Sequence, residues 1–271
     1  MANRLLELTA VNAGYLERSG FFARRQKEFP VCHDIHLTIE RGKTMGLVGE
    51  SGSGKTTLGR AILGLASVFS GTVRYFPIES EPIELQKTSQ SDFRPLRKKL
   101  QIIFQDPFST LNPRLSIESI LAEGMRVHFP AQSGRDRSEK MRDTLELVGL
   151  SPDVLSRYPH EFSGGQRQRI SIARSLILDP EFIVADECVS ALDVSIQAQI
   201  INLLLDLQDR LGLTYLFISH DLAVVKHLSH DIAVMQEGRI VEKGSVEQIT
   251  GSPEHPYTQE LLEANLTAAP P

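Results

Sequence analysis

An α/β fold with a mainly parallel sheet is predicted by two features of this 271-residue sequence. Short apolar segments of strand length alternate with longer segments whose apolar residues recur at helical spacing. Continuous apolar strands are typical of a parallel sheet that helices cover on both faces. The stretch 106–160 has loop signals and short amphipathic helices but no strand pattern, and together with the helix that follows it predicts an inserted or appended helical subdomain near 106–175.

The order of the predicted elements supports this fold class. Alternating segments at 5–11 and 35–39 predict two strands, joined by a loop or hairpin tip at 21–30. Buried strands are predicted for the apolar runs at 45–48, 101–104, 182–186 and 214–219. Helices are predicted for the periodic segments at 56–66, 138–150, 166–178 and 196–212. The segment 232–244 predicts a β-hairpin with Glu237-Gly238 at its turn.

Composition and charge exclude several classes of protein. The net charge of -5 gives no general attraction to nucleic acid. No apolar run reaches the ~18–20 residues needed to cross a bilayer, and the N-terminus lacks a signal-peptide pattern. We therefore expect the chain to stay in the cytosol and to work at a membrane only by docking on other subunits. The sequence has two cysteines, Cys32 and Cys188, which are far apart in the chain. We therefore expect small, reduced, largely apolar residues rather than a disulfide framework or a zinc cluster.

A glycine-rich segment after the predicted strand 45–48 has the spacing of a phosphate-binding loop, G-x-x-x-x-G-K-[ST]. Its glycines let backbone N–H groups curl around phosphates, Lys55 is expected to reach the β- and γ-phosphates, and the Thr56 hydroxyl to bind Mg²⁺. Such a spacing also occurs by chance, but the strand before it and the helix after it favour phosphate binding. The residues expected to contact the nucleotide here are Gly49, Glu50, Ser51, Gly52, Ser53, Gly54, Lys55, Thr56 and Thr57.

Polar side chains follow three of the predicted buried strands. Asp186 ends one strand and is expected to hold Mg²⁺, while the adjacent Glu187 is expected to take a proton from the attacking water. His220 and Gln105 follow two other strands, where His220 can donate a hydrogen bond to the γ-phosphate and Gln105 can touch Mg²⁺ or the nucleophile. Helix capping by the carboxylates and a structural His220 are the alternatives. The phosphate loop in the same chain favours one catalytic constellation.

A serine and two glycines open the predicted helix at 166–178. Capping of that helix explains Ser163 but not the doubled glycine. A second interpretation is an anion site formed by Ser163, Gly164, Gly165 and Gln166 at the helix N-terminus. It lies more than 100 residues from Lys55, so we expect it to serve the nucleotide of a second copy placed head-to-tail.

The combined motifs resemble the ATP-binding cassette (ABC) ATPases. They are GESGSGKTT at 49–57, Gln105, FSGGQ at 162–166, FIVADE at 182–187, SALD at 190–193 and His220. The resemblance covers about residues 3–262. It implies an ABC-type P-loop NTPase with a RecA-like core, an antiparallel β subdomain and the helical subdomain. It also implies ATP and Mg²⁺ as cofactors, with two subunits that sandwich two ATP molecules.

In that arrangement Lys55 and Glu187 of one subunit would face Ser163, Gly165 and Gln166 of the other. The SALD segment would cross the interface, although Asp193 is also a plausible helix cap. The resemblance places the core at about 3–105 and 176–245, the helical subdomain at 106–175 and a C-terminal extension with a helix and frayed tail at 246–271. The family also puts an aromatic ring under the adenine. Tyr15 is our prediction, with Phe21 and Phe22 as rivals.

Within the family, the chain is similar to the ATPases of the peptide and nickel uptake group. The similar segments are FQDPFSTLNPR (104–114), YPHEFSGGQRQR (158–169), SALDVSIQAQ (190–199), FISHDLAVVKHLS (217–229) and HPYTQELLEA (255–264). HPYT alone could be an ordinary turn before a helix. The resemblance implies a peripheral protein on the cytoplasmic face of the inner membrane. Its partners would be a second related ATPase, giving a heterodimer, two membrane permeases and, indirectly, an extracytoplasmic binding protein.

Alternatives for the cargo and the class remain open at this point. The cargo could be peptides, nickel or metal chelates, heme, or antimicrobial peptides. A different class is a soluble cassette protein that acts as a regulator or on nucleic acid, through basic stretches at Arg24-Arg25 or at 94–99. A solvated surface loop is the simpler interpretation of those stretches, given the net negative charge.

The residue after Glu187 departs from the group, many members of which have proline where this chain has Cys188. We expect Cys188→Pro to change the stiffness of the loop more than the chemistry, so that ATP hydrolysis survives. Steady-state ATPase assays of wild type and variant check this. Loss of hydrolysis in a folded variant would contradict it.

Overall fold

A computed structural model describes residues 3–19 and 25–267. The chain divides into two compact units: Met1–Phe93 with Thr214–Pro271, and Arg94–Leu213. We refer to them as the first and second units. The subdomain limits that the resemblance implies, such as 106–175 for the helical part, stay a prediction.

The strands in the described residues are β1 (Arg4–Ser19), β2 (Arg25–Glu40), β3 (Thr44–Val48), β4 (Ser67–Tyr75), β5 (Ile83–Glu84), β6 (Leu100–Ile103), β7 (Phe182–Asp186), β8 (Thr214–Ser219), β9 (Asp231–Gln236) and β10 (Arg239–Ser245). The helices are α1 (Lys55–Ile62), α2 (Gln90–Leu96), α3 (Pro107–Thr110), α4 (Ile117–His128), α5 (Gly134–Leu147), α6 (Gly164–Leu176), α7 (Val194–Leu211), α8 (Leu222–Leu228), α9 (Val246–Gly251) and α10 (Pro256–Thr267). Short 3-10 helices lie at Leu85–Lys87, Pro152–Ser156 and Pro159–Glu161.

An antiparallel sheet in the first unit has the order β2-β1-β4-β5. The first two strands are far longer than the alternating segments 5–11 and 35–39 predict, and β2 already begins at Arg25. The expected loop at 21–30 is therefore wrong from Arg25 onward, because pairing with β1, in which Tyr15 lies opposite Phe29, keeps this polar stretch extended. Residues 21–24 of that loop lie outside the described residues.

A second sheet in the first unit is built around β3, whose five residues are all buried. It pairs in parallel with β8, with Val48 opposite Ser219, and in parallel with β9. The predicted hairpin is confirmed: β9 and β10 pair antiparallel, and Glu237 and Gly238 take φ angles of 46° and 77° at its turn. The ends of β3 and β8 therefore place Gly49 and His220 at the same edge of the sheet.

In the second unit β6 and β7 form a parallel pair, with Ile103 opposite Ala185. The remainder is mostly helical, and α4, α5 and α6 pack against one another. Serine and aspartate side chains accept hydrogen bonds from first-turn N–H groups and so fix where many helices of both units begin. These N-cap residues are Asp106, Ser116, Ser133, Ser163, Asp193, Asp221 and Ser245.

Within the described residues, no helix is both long and apolar enough to span a bilayer.

The packing of α8 on β3 leaves no room for a side chain at Gly46. A Cβ atom there would lie 2.3 Å from Val225 Cγ1 and 2.6 Å from Ser229 Oγ. We expect Gly46→Ala to lower the free energy of unfolding by about 1–3 kcal/mol, the usual cost of overpacking a core. Chemical denaturation measures this.

Gly134→Ala is the matched control, because a Cβ at the start of α5 meets nothing within 4 Å. It should change stability by no more than ~0.5 kcal/mol. Equal stabilities of the two variants would show that the approach of α8 to Gly46 is not a constraint.

Candidate functional site

The segment from Gly49 to Gly54 turns sharply between β3 and α1. Gly49, Gly52 and Gly54 have φ angles of 151°, 83° and 104°, in the region that residues with a Cβ rarely adopt. Space is a second constraint, since a Cβ at Gly49 would lie 2.1 Å from the Met235 carbonyl oxygen. The glycine spacing of the motif is therefore required by backbone geometry.

The carbonyl groups at the end of this loop are anchored to the protein. The Ser53 carbonyl accepts from the Gly238 N–H at 3.0 Å. The Gly54 carbonyl accepts from Leu58 N–H at 2.9 Å and lies 3.6 Å from the Cys32 thiol, which donates to it. A trans peptide group has its C=O and N–H on opposite edges. The N–H groups of Gly54 and Lys55 therefore point away from the contacts that hold the Ser53 and Gly54 carbonyls. Such a run of N–H groups at a helix N-terminus is an anion site.

Lys55 is 4% exposed, and its ammonium group is held inside the loop. It donates to the carbonyl oxygens of Gly49 and Glu50, both at 2.7 Å, and to Ser53 Oγ at 3.3 Å. These hydrogen bonds offset the cost of burying the positive charge of Lys55. They also bend the loop back over the start of α1, where Thr56 is half-buried and Thr57 is buried.

Tyr15 lies beside this helix. Its hydroxyl is 3.3 Å from Thr57 Oγ1 and accepts from Arg60 Nη1 at 3.5 Å, while the residue is 40% exposed. An accessible aromatic ring next to the phosphate loop is what an adenine-stacking residue requires, and this role for Tyr15 stays a prediction. The rivals Phe21 and Phe22 lie outside the described residues.

A second group of candidate residues lies at the ends of β6 and β7. Gln105 Nε2 donates to Glu187 Oε2 at 3.0 Å, which brings these two predicted residues together. The neighbouring Asp186 is 4% exposed at the end of β7. The three side chains thus lie at the same end of the parallel pair, and Gln105 and Glu187 are in contact although 82 residues separate them in the chain.

The backbone of Glu187 is strained, which the sequence did not indicate. Its φ angle of 46° lies in the left-handed region, a conformation that costs a non-glycine residue ~1–3 kcal/mol. The Ser190 N–H and hydroxyl both donate to the Glu187 carbonyl, at 3.1 and 2.9 Å, and hold this geometry. Strain kept in place by neighbours is frequent at functional residues.

The predicted convergence of all these groups on one phosphate stays a prediction. The phosphate loop and His220 belong to the first unit, whereas Gln105, Asp186 and Glu187 belong to the second. His220 itself is exposed and directly follows β8.

The start of α6 is a capping box. Ser163 Oγ accepts from Gln166 N–H at 3.4 Å, and Gln166 Oε1 accepts from Ser163 N–H at 3.1 Å. The structure adds a packing reason for one of the two glycines, because a Cβ at Gly165 would lie 2.6 Å from Ile196 Cγ2 of α7. At Gly164 it would make only an ordinary contact, at 3.5 Å. Ser163 and Gln166 are exposed, as a site that serves a partner must be.

The two thiols are buried and unreactive in character. Burial raises the pKa of Cys32 and that of Cys188 to about 12. Both thiols therefore stay protonated at neutral pH and cannot act as nucleophiles there. Both cysteines are free and buried, as small, largely apolar side chains would be.

Comparison with known proteins assigns the chain to a family. The ABC transporter family profile matches residues 32–190, more than half of the chain. The chain belongs to this family. Solved structures agree in fold: the ATP-binding cassette MJ0796 bound to ADP and Pi has a TM-score of 0.74 at 24% identity, covering 89% of this chain and 99% of that one. CbiO1 of Clostridium perfringens, part of the CbiONQ ABC transporter complex, has a TM-score of 0.75 at 23% identity, covering 92% of both chains.

Curated relatives are more similar in sequence. The oligopeptide transport ATP-binding protein OppF of Streptococcus mutans is 53% identical over 232 residues, which cover 85% of this chain and 73% of the relative. OppF of Bacillus subtilis is 49% identical over 264 residues, covering 97% and 83%. The dipeptide transport ATP-binding protein DppF of Haemophilus influenzae is 46% identical over 271 residues, covering 98% and 79%.

Proposed function

We propose that this chain is the ATP-hydrolysing subunit of an ABC importer for peptides. The loop at 49–57 carries the proposal, because its anchored carbonyls, positive-φ glycines and buried Lys55 form an anion cradle at a helix N-terminus. Relatives named as oligopeptide and dipeptide transport proteins, similar over most of the chain, support peptides as the cargo.

The residues present also fit Mg²⁺, which prefers oxygen ligands and binds together with substrate phosphates. The Thr56 hydroxyl, an Asp186 carboxylate oxygen and the Gln105 amide oxygen are donors of this kind. Bound Mg²⁺ would neutralise charge on the phosphates. Gln105 can offer its oxygen while its Nε2 continues to donate to Glu187.

In this proposal Lys55 binds the β- and γ-phosphates and Glu187 accepts the proton of the attacking water. His220 donates a hydrogen bond to the γ-phosphate. Ser163 to Gln166 complete the site of a partner subunit, so that ATP binding closes a dimer and hydrolysis reopens it. We propose a related ATPase as that partner, in a heterodimer.

Two permeases are the proposed membrane partners, and their docking would hold the chain at the cytoplasmic face of the inner membrane. A cavity of about 310 Å³ in the second unit, bounded by β6, α4 and α6, offers a surface for a permease segment. Its apolar lining includes Phe104, Leu121, Val127 and Leu178. An extracytoplasmic binding protein would meet the permeases, not this chain.

Action on nucleic acid is less well supported. In the basic stretch 94–99, Lys99 pairs with Glu181 at 3.3 Å and Lys98 lies over the Phe129 ring at 5.9 Å. These cations serve intramolecular contacts. In the other basic stretch, Arg24 lies outside the described residues.

Glu187→Gln keeps the shape of the side chain and removes its basicity. We expect MgATP binding to persist and hydrolysis to fall about 10²- to 10⁴-fold, the usual contribution of a general base. With the partner subunit, MgATP should trap a closed dimer on size-exclusion chromatography. Glu181→Gln, the same change next to the opposite end of β7, is the matched control and should hydrolyse ATP normally. Turnover of Glu187→Gln at the wild-type rate would exclude Glu187 as the base.

Coupling to transport is tested at the proposed permease surface. Val127 and Leu211 are each 46% exposed in the second unit, but only Val127 lines the cavity. We expect Val127→Glu to reduce co-purification with the permeases and uptake of labelled peptide, whereas Leu211→Glu leaves both unchanged. Equal effects of the two variants would argue against this docking surface. Absence of peptide uptake with the wild-type chain, despite ATP hydrolysis, would argue against the peptide cargo.

A further inference from the structure

The segment His255-Pro256-Tyr257-Thr258 at the start of α10 is built into the first unit. Tyr257 is 6% exposed and Thr258 is fully buried. An ordinary surface turn before a helix does not bury its side chains in this way.

Hydrogen bonds from both sides fix this segment. His255 Nδ1 accepts from Tyr257 N–H at 3.2 Å and so caps the helix. The Glu242 carboxylate of β10 accepts from the N–H groups of Glu254 at 2.8 Å and His255 at 3.1 Å. The position of the Tyr257 ring is thereby set relative to the sheet that carries the phosphate loop.

The Tyr257 hydroxyl reaches the phosphate loop. It accepts from Glu50 N–H at 3.0 Å. The Gly49 carbonyl, on the other edge of the same peptide group, accepts from Lys55 Nζ at 2.7 Å. Because a peptide group is planar and trans, with its N–H and C=O on opposite edges, these two bonds hold one plane from both sides.

We propose that Tyr257 is a positioning residue for Lys55. By holding the Gly49–Glu50 peptide plane, it aims the Gly49 carbonyl at the ammonium group and keeps that group poised for the phosphates. The inference rests on the proposed ATP binding, and it gives the C-terminal helix a part in nucleotide affinity.

Tyr257→Phe removes the hydroxyl and keeps the ring packing. Since one hydrogen bond is lost and water can partly replace it, we expect MgATP affinity to weaken about 2- to 10-fold. Isothermal titration of the full chain measures the affinity, and thermal unfolding should give nearly the wild-type midpoint. Unchanged affinity would overturn the proposal.

The matched control is Gln259→Ala in the same helical turn. It removes the bond from Gln259 Nε2 to the Pro253 carbonyl, 2.9 Å long, from an exposed side chain. If it weakens MgATP binding as much as Tyr257→Phe does, the effect is a general loosening of α10 and the proposal fails.

Amide hydrogen exchange gives a second readout that needs no nucleotide. In Tyr257→Phe we expect faster exchange in a peptide spanning 49–54 and unchanged exchange in α10. Faster exchange in α10 alone would mean a purely structural role and overturn the proposal. Failure of the wild-type chain to bind MgATP would overturn the proposed function and, with it, this inference, whereas wild-type binding with an unaffected Tyr257→Phe overturns the inference alone.

Discussion

The buried ammonium group of Lys55 organises the phosphate loop. A charge at 4% exposure needs polar partners, and the loop supplies them by turning two carbonyls and a hydroxyl inward. That turn demands backbone angles which only glycine adopts readily. The N–H groups of Glu50 and Ser53 donate within the protein, whereas those of Gly54 and Lys55 lie on the side opposite the anchored carbonyls. The glycine and lysine positions of the motif thus agree with a tight turn that supplies hydrogen-bond acceptors to the buried Lys55 ammonium group.

Neighbouring elements keep the loop in this shape. The β9–β10 hairpin contributes the Gly238 N–H and the carbonyl of Met235, which limit where the chain can pass. From the other side, α10 contributes the Tyr257 hydroxyl. The loop is therefore supported by segments far along the chain, and Tyr257 lies 207 residues after Glu50. Such support gives a preorganised site, since little ordering is left to be done when a ligand binds.

Much of the fold could be predicted because buried parallel strands are apolar throughout. The limits predicted for β7 and β8 agree with the structure, and those for β3 and β6 differ by a residue. The lengths of β1 and β2 could not be predicted, since strand pairing between distant segments keeps a polar stretch extended. Short α2, with Pro95 inside it, also had no clear periodic signal.

At the site, residue types and spacing predicted the phosphate loop and named Gln105 and Glu187 as candidates, and the structure brings these two side chains into contact. The contact of Tyr257 with Glu50 and the packing of Gly165 on Ile196 escaped prediction, because both depend on which distant elements meet. For Gly165 one signal was present: a doubled glycine that helix capping did not explain.

The left-handed backbone at Glu187 lowers the stability of the folded protein at the position that carries the proposed catalytic carboxylate. Glycine would adopt this conformation without penalty but would carry no carboxylate. Directed evolution of this protein for thermal resistance alone would therefore tend to erode the very group proposed to activate water. A screen for thermally stable variants must therefore also measure ATP hydrolysis, because stability alone would select for replacement of Glu187.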